Sequence, residues 1–336
     1  MEIKKQVMSL TPCFLYHVYL QGGEVLDSVV VKQPRKKSKW AKMGKEKWVY
    51  LMVLPGLIYF IVFKYFPMWG VLIAFQDYSP FRGLLGSNWV GFEHFQYFFS
   101  NPDFLRLLRN TFILALYDLV FFFPAPIILA LLLNEIRISF YKRAIQTFVY
   151  VPHFMSWVII ASISYVFLTT SGGVVNELLE GLLGEKINFL SSPDWFRPMI
   201  IGQIIWKETG WGTVIFLAAL ASVDQEQYEA AIVDGAGRFR RLWHVTLPAL
   251  RSTIVILLIL RLGNFLDTGF QQIYLMSNSL NRSVADVFDT YVYFVGITEG
   301  AFSYSTAVGL FKSVVGIVLI VGADRLAKKL GQGGLF

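Results

Sequence analysis

Apolar residues in this chain come in long uninterrupted blocks. They do not alternate as in a half-buried strand, nor form the narrow stripe of a surface helix. A membrane-crossing helix needs about 20 mostly apolar residues. Six blocks meet that requirement, at 48–66, 111–133, 148–169, 199–221, 249–275 and 303–323. The second carries FFFPAP, which predicts a kink near Pro124 and Pro126. The fifth holds Gly263 and Gly269, where it can break or bend. The pattern predicts an all-α membrane protein. Its transmembrane domain would run over 48–336, behind a basic tail at 1–47.

Composition agrees. Of the 336 residues 55% are hydrophobic and only 16% charged, against about 25% charged in soluble domains. The formal charge of +7 raises the question of nucleic acid. Position answers it: ten of the 30 Lys and Arg precede Trp48, and most others flank the apolar blocks. That is a topology signal, so no nucleic-acid partner is expected. Segments 1–47, 134–147, 222–251 and the stretch from Asp324 carry roughly three times the Lys and Arg of the loops at the other ends of the predicted spans. The rule predicts that both termini are cytoplasmic. Within the tail, VMSLTPCFLYHVYL is too short to span and lacks a clear cleavage site, so no cleaved signal peptide is expected. KQPRKKSKWAKMGKEK reads equally as an anchor for lipid headgroups and as a solvated tail. The aromatic-rich segment 67–110 predicts a cap or an interfacial loop.

Chemistry-bearing motifs are sparse. The single Cys13 excludes an internal disulfide framework, and His17, His94, His153 and His244 lack metal-ligand spacing. Gly44–Lys45 stands outside any P-loop, and neither G-x-S-x-G nor H-E-x-x-H occurs. No catalytic residue, metal site or bound cofactor is expected, and the chain reads as a non-enzyme.

One stretch breaks the apolar pattern. Residues 228–248, YEAAIVDGAGRFRRLWHVTLP, bring two carboxylates, three arginines and two glycines between two predicted spans. Ser222 with Gln225 fits a capping box, Tyr228 to Val233 are good helix formers, and Gly235 is a natural stop. A second short helix would follow, ended by Pro248. The small Ala230 and Ala231, with Glu229 and Asp234 as anionic anchors, suit a peg for another protein's socket; an amphipathic helix lying on the membrane fits as well.

EAA, three residues, Gly235, nine residues and VTLP resemble the cytoplasmic signature of permease subunits in binding-protein-dependent ABC importers, with Val245 where Ile is commoner. NTFILALYDLVFFFPAPIILALLLNEIR, VPHFMSWVI, IWKETGW and DTYVYFVGI are similar to the oligosaccharide and polysaccharide uptake branch. The resemblance covers roughly 48–330. It implies a six-span type I fold like the maltose permease, in a bacterial inner membrane. It also implies a coupling helix at Tyr228, Glu229, Ala230, Ala231, Asp234 and Gly235. The implied partners are a second similar permease, two ATP-binding subunits that use ATP and Mg, an extracytoplasmic solute-binding protein and membrane lipid. The alternative is a self-sufficient secondary transporter driven by an ion gradient; no inverted repeat supports it.

Charges within the apolar blocks are costly, about 2.5–3.5 kcal/mol each at mid-span, and so invite a function. Away from the block ends the candidates are Asp118, Lys207, Glu208, Arg261, Asp267 and Lys312. Arg261, Asn264, Thr268 and Gln271 recur at helical spacing and predict one polar face. With Lys207, that stripe is the candidate sugar path, and Trp206 or Trp211 could stack on a pyranose. Arg261, Lys207 and Lys312 would suit an anionic sugar unless neighbouring acids neutralise them.

Overall fold

The structure, a computed structural model, describes residues 47–331. The basic tail expected at 1–47 therefore lies, apart from Lys47, outside the described residues. The chain divides into two compact units, 1–61 and 62–336. In the first, helix Lys47–Phe60 carries Pro55 in its interior. The backbone bond that Pro55 cannot donate is a loss membrane helices tolerate. Five described helices are long and apolar enough to cross a membrane: Lys47–Phe75, Asp103–Glu135, Pro193–Ala221, Arg238–Gly263 and Phe302–Lys329.

The remaining apolar block is a bent pair, which makes a sixth span only if its two helices are counted as one, and here the structure departs from the apolar pattern. Block 148–169 is not one helix. Ser139–Phe154 and Trp157–Leu168 meet at 102°. Pro152 forces a single 3-10 turn over Val151–Phe154. Met155 then extends, and Ser156 restarts the chain by accepting the Ile159 amide at 3.3 Å. Pro124 and Pro126 in the second span have the expected consequence in a particular form. A π turn over Asp118–Phe122 precedes helix Pro124–Glu135, and the Phe123 amide reaches back to the Asp118 carbonyl at 3.0 Å. That wider turn relieves the clash a proline ring makes with the turn before it.

Two close approaches fix the packing of the second unit. A Cβ on Gly210 would stand 1.9 Å from the Val149 carbonyl oxygen, and one on Gly316 would stand 2.6 Å from that of Gly263. Only glycine lets the fourth span reach the bent pair, and the sixth span the end of the fifth, at backbone distance. The aromatic segment packs as a cap. Phe98, from helix Glu93–Ser100, is fully buried and meets Phe104, Phe288 and Phe311 edge-on. The two-stranded ribbon Gln76–Asp77 and Asn88–Trp89 belongs to the same cap, whose Tyr78 amide donates to Ser303 Oγ at 2.9 Å.

The segment after the fourth span also differs from expectation at both ends. Ser222 is the C-cap of helix Pro193–Ala221, in right-handed helical conformation, so it cannot also cap the next helix. Asp224 does that, accepting the Glu226 amide at 3.0 Å. Pro248 does not end a helix either. Arg238–Arg241 continues through a π turn, Leu242–Thr246, into Leu247–Gly263. The π turn shifts the bonding register, and Pro248 falls in the first turn beyond it, where its missing N–H costs little.

Candidate functional site

A cavity of about 360 Å³ opens between the second, fourth and fifth spans and the start of helix Trp157–Leu168. Asp118, Trp157, Glu208, Arg261, Asn264, Asp267 and Thr268 supply most of its chemistry. A second cavity, about 370 Å³, shares Asn264 and Asp267 with the first and adds Asp289 and Lys312. The two meet at a turn, because the fifth span stops at Gly263. Asn264 is its C-cap, Gly269 takes φ +84°, and a short helix Phe270–Met276 follows. The four-residue polar stripe is therefore not one helix face. Arg261, Asn264 and Thr268 line the first cavity; Gln271 does not, and the buried Gln272 takes its place. Glycine at 263 and 269 was the signal for this break.

Lys207, Arg261 and Lys312 each meet an acid. Arg261 pairs with Asp118 through two nitrogens and lies 5.0 Å over the Phe122 ring. Lys312 pairs with Asp289, whose other oxygen accepts the Thr268 amide at 3.1 Å. Lys207 is buried, donates to the His153 carbonyl at 2.5 Å and stands 3.3 Å from Glu208. Glu208 also meets His153 Nδ1 at 2.8 Å. Adjacent on one helix, Lys207 and Glu208 converge because the break at residue 153 lies between them. This cluster bridges the bend of the pair: Lys207 bonds the His153 carbonyl before it and stands 5.5 Å over the Trp157 ring after it. Among the described residues Asp267 is the acid in these cavities whose side chain has no ion-pair or hydrogen-bond partner.

Trp157 and Phe265 are the aromatic residues of the cavity wall; Trp206 and Trp211 do not line it. Trp211 stacks on His153 instead, 4.6 Å between ring centres. The missed signal was Pro152 with Ser156, which together set Trp157 at a helix start. The cavity-lining Gln272 donates to Gln203 at 2.8 Å and Gln203 to Ser164 at 2.7 Å. This buried chain of amides ties three elements together. If the cavity meets sugar hydroxyls, Asn264→Leu should lower uptake by up to about tenfold, the value of one lost hydrogen bond. Gln271→Leu should leave uptake nearly unchanged. Radiolabelled-sugar uptake at matched expression measures both.

The segment joining the fourth and fifth spans stands out from the rest of the molecule. Helix Gln225–Val233 ends in a left-handed Gly235 at φ +74°, where the Ala236 amide reaches the Ala231 carbonyl at 2.8 Å. Glu229, Ala230, Asp234 and Gly235 are exposed, and Ala231 is half-buried. Beside them Ile232, Val233, Phe239 and Trp243 put apolar side chains into the open; Val233 is 87% exposed. Tyr228 points the other way. Its hydroxyl meets Thr246 Oγ1 at 3.1 Å and moors the helix to the root of the fifth span.

Residues 122–332 match the family described as binding-protein-dependent transport system inner membrane component. The chain is similar to protein LplB of Bacillus subtilis (strain 168), 67% identical over 92% of this chain and 98% of that one. It is similar to the polygalacturonan/rhamnogalacturonan transport system permease protein YteP of the same organism, 55% identical over 93% and 97%. A solved bacterial alginate ABC transporter, in complex with alginate pentasaccharide-bound periplasmic protein, contains a chain that superposes with a TM-score of 0.81 at 38% identity. That match covers 88% of this chain and 99% of the other.

Proposed function

Since this chain belongs to the binding-protein-dependent transport system inner membrane components, we propose that it forms half of the path by which an ATP-driven importer takes up an oligosaccharide or polysaccharide fragment. The observation that carries this is the exposed helix Gln225–Val233 with its left-handed Gly235, set between two spans and rooted by Tyr228. It is the coupling helix, seated in a separate ATPase that supplies the ATP and Mg chemistry; this chain performs none. Tyr228 acts by holding the peg upright, while Glu229, Ala230, Ala231, Asp234 and Gly235 form its docking surface. A second similar permease supplies the other half of the path, two ATPase copies drive the cycle, and a solute-binding protein delivers the sugar. The ATPases draw together on binding ATP, each coupling helix moves with its socket, and the spans rock between two access states.

Relatives named for polygalacturonan and alginate support an acidic sugar as cargo. In the sugar path Asn264 and Thr268 offer hydrogen bonds and Trp157 an apolar face. Arg261, paired with Asp118, lines its wall; Lys207 is buried behind it against Glu208, and Gln271 stands aside. Both termini are cytoplasmic in this account. A reporter active only outside the membrane should be active when fused after Leu280 and silent after Ala236; the reverse would overturn the orientation. Purification in mild detergent, with co-purifying chains identified, tests the function. A second permease and an ATP-binding subunit are expected. A chain that purifies alone and transports on an ion gradient would contradict it.

A further inference from the structure

The cations inside the cavities are neutralised, so a carboxylate-bearing sugar would have to find its counter-charge elsewhere on this subunit. Of the arginines near the outer ends of the path-lining helices, two lack an acid. Arg106 pairs with Asp103 and Asp286, and Arg282 pairs with Asp286. Arg109 is exposed and has no hydrogen-bond or ion-pair partner among the described residues. Arg197 donates through Nη2 to the neutral Asn110 side chain at 2.9 Å, and its buried Nε has no partner. Arg109 directly precedes Asn110, the residue that Arg197 bonds, and like charges set on neighbouring positions disfavour each other.

Their position is informative. Asn110 precedes the cavity-lining Leu114 by four residues, and Arg197 precedes the cavity-lining Ile201 by four. Residues four apart share a helix face, so the Arg197–Asn110 contact lies one turn, about 5.4 Å, above the cavity. Asn110 is itself fixed. Its amide donates to the carbonyls of Ser283 at 2.9 Å and Asp286 at 3.0 Å, and it is 2% exposed. Arg197 is thus held in place from behind, with donors to spare and a like charge beside it. An anion between the two guanidiniums would offset the like charge and accept from their outer nitrogens, which is what a planar fork offers a carboxylate.

We propose that Arg109 and Arg197 form a carboxylate-binding site at the outer mouth of the path, which takes the acid group of a uronate-type sugar before it enters the cavity. The proposal rests on the transport reading given above and names the substrate chemistry of that path.

The test uses the whole transporter in nanodiscs of phosphatidylcholine. Modification of Arg109 and Arg197 by phenylglyoxal is followed by peptide mass spectrometry. Trigalacturonate in the millimolar range should slow modification of both arginines at least about threefold, as charge-assisted pairing to a guanidinium requires. Galactotriose, neutral and of equal length, should not. In Arg109→Gln, which alters an exposed side chain and leaves the Asn110 contact intact, protection of Arg197 should fall by about half or more. No protection, or equal protection by galactotriose, overturns the proposal. Slowing by added phosphatidylglycerol alone, without trigalacturonate, would assign the pair to a lipid headgroup and also overturn it. Stimulation of ATPase activity by the loaded binding protein, read in the same preparations, tests the transport reading separately.

Discussion

Gly235→Leu is expected to lower uptake by more than about tenfold, equivalent to at least 1.4 kcal/mol of lost coupling, while the spans remain inserted. At φ +74° an L-residue is strained by roughly 1–2 kcal/mol. No heavy atom lies within 4 Å of a Cβ built there, so the leucine side chain meets open space within this chain. The fold therefore loses only backbone comfort at one exposed turn. The added bulk falls instead on the proposed docking surface, next to Asp234. Docking should loosen, and ATPase activity in the purified complex should no longer respond to the loaded binding protein. Asp234→Ala, which removes a charge and little shape, should do the same more mildly. Expression and trypsin resistance of the spans separate this from misfolding.

Asp118→Ala should have the largest effect on assembly. It strips Arg261 of both carboxylate bonds and leaves a guanidinium against Phe122 at the wall of the cavity. Removing one member of a buried pair costs about 3–5 kcal/mol; exposed pairs are worth about 0.2–1 kcal/mol. Asp118 is 15% exposed and Arg261 is 42%, so the cost falls between these limits. Intact transporter in membranes should drop several-fold. The double variant Asp118→Leu with Arg261→Leu should restore much of it, because no charge is left unpaired. If the single variant assembles as well as the parent, the pair is not a structural brace.

Most of the architecture was legible because lipid imposes it. Apolar length set five spans, and the glycines at 263 and 269 announced the break that ends the fifth. What could not be read was where the chain bends within an apolar block. In residues 148–169 hydropathy stays high through Pro152 and Ser156, so the block looked like one span although those two residues turn it by 102°. That single omission hid two site features. It concealed Trp157 as part of the cavity wall, and it hid the meeting of Lys207 and Glu208 at His153. The polar stripe failed for a related reason. Helical spacing was extended from Arg261 to Gln271 across a segment that leaves the helix at Asn264.

Capping errors were local competitions between neighbours. Ser222 and Asp224 both offer a side-chain oxygen near the start of the loop helix. Ser222 is consumed by the end of the fourth span, its hydroxyl on the Ala219 carbonyl at 2.7 Å, which leaves Asp224 as the cap. The left-handed Gly235, by contrast, had no competitor, since only glycine adopts that conformation without penalty.

The account turns on what the helix Gln225–Val233 touches, and one cysteine can report it. Cys13 is the sole cysteine of the chain. In a Cys13→Ser background, Ala230→Cys places a thiol at an exposed position of that helix. A short bis-maleimide should then join this chain to the ATP-binding subunit in intact complexes, in a yield that changes when ATP is added. A thiol that is labelled by membrane-impermeant reagent from outside, or that links only to lipid-embedded neighbours and never to the ATPase, would contradict the account.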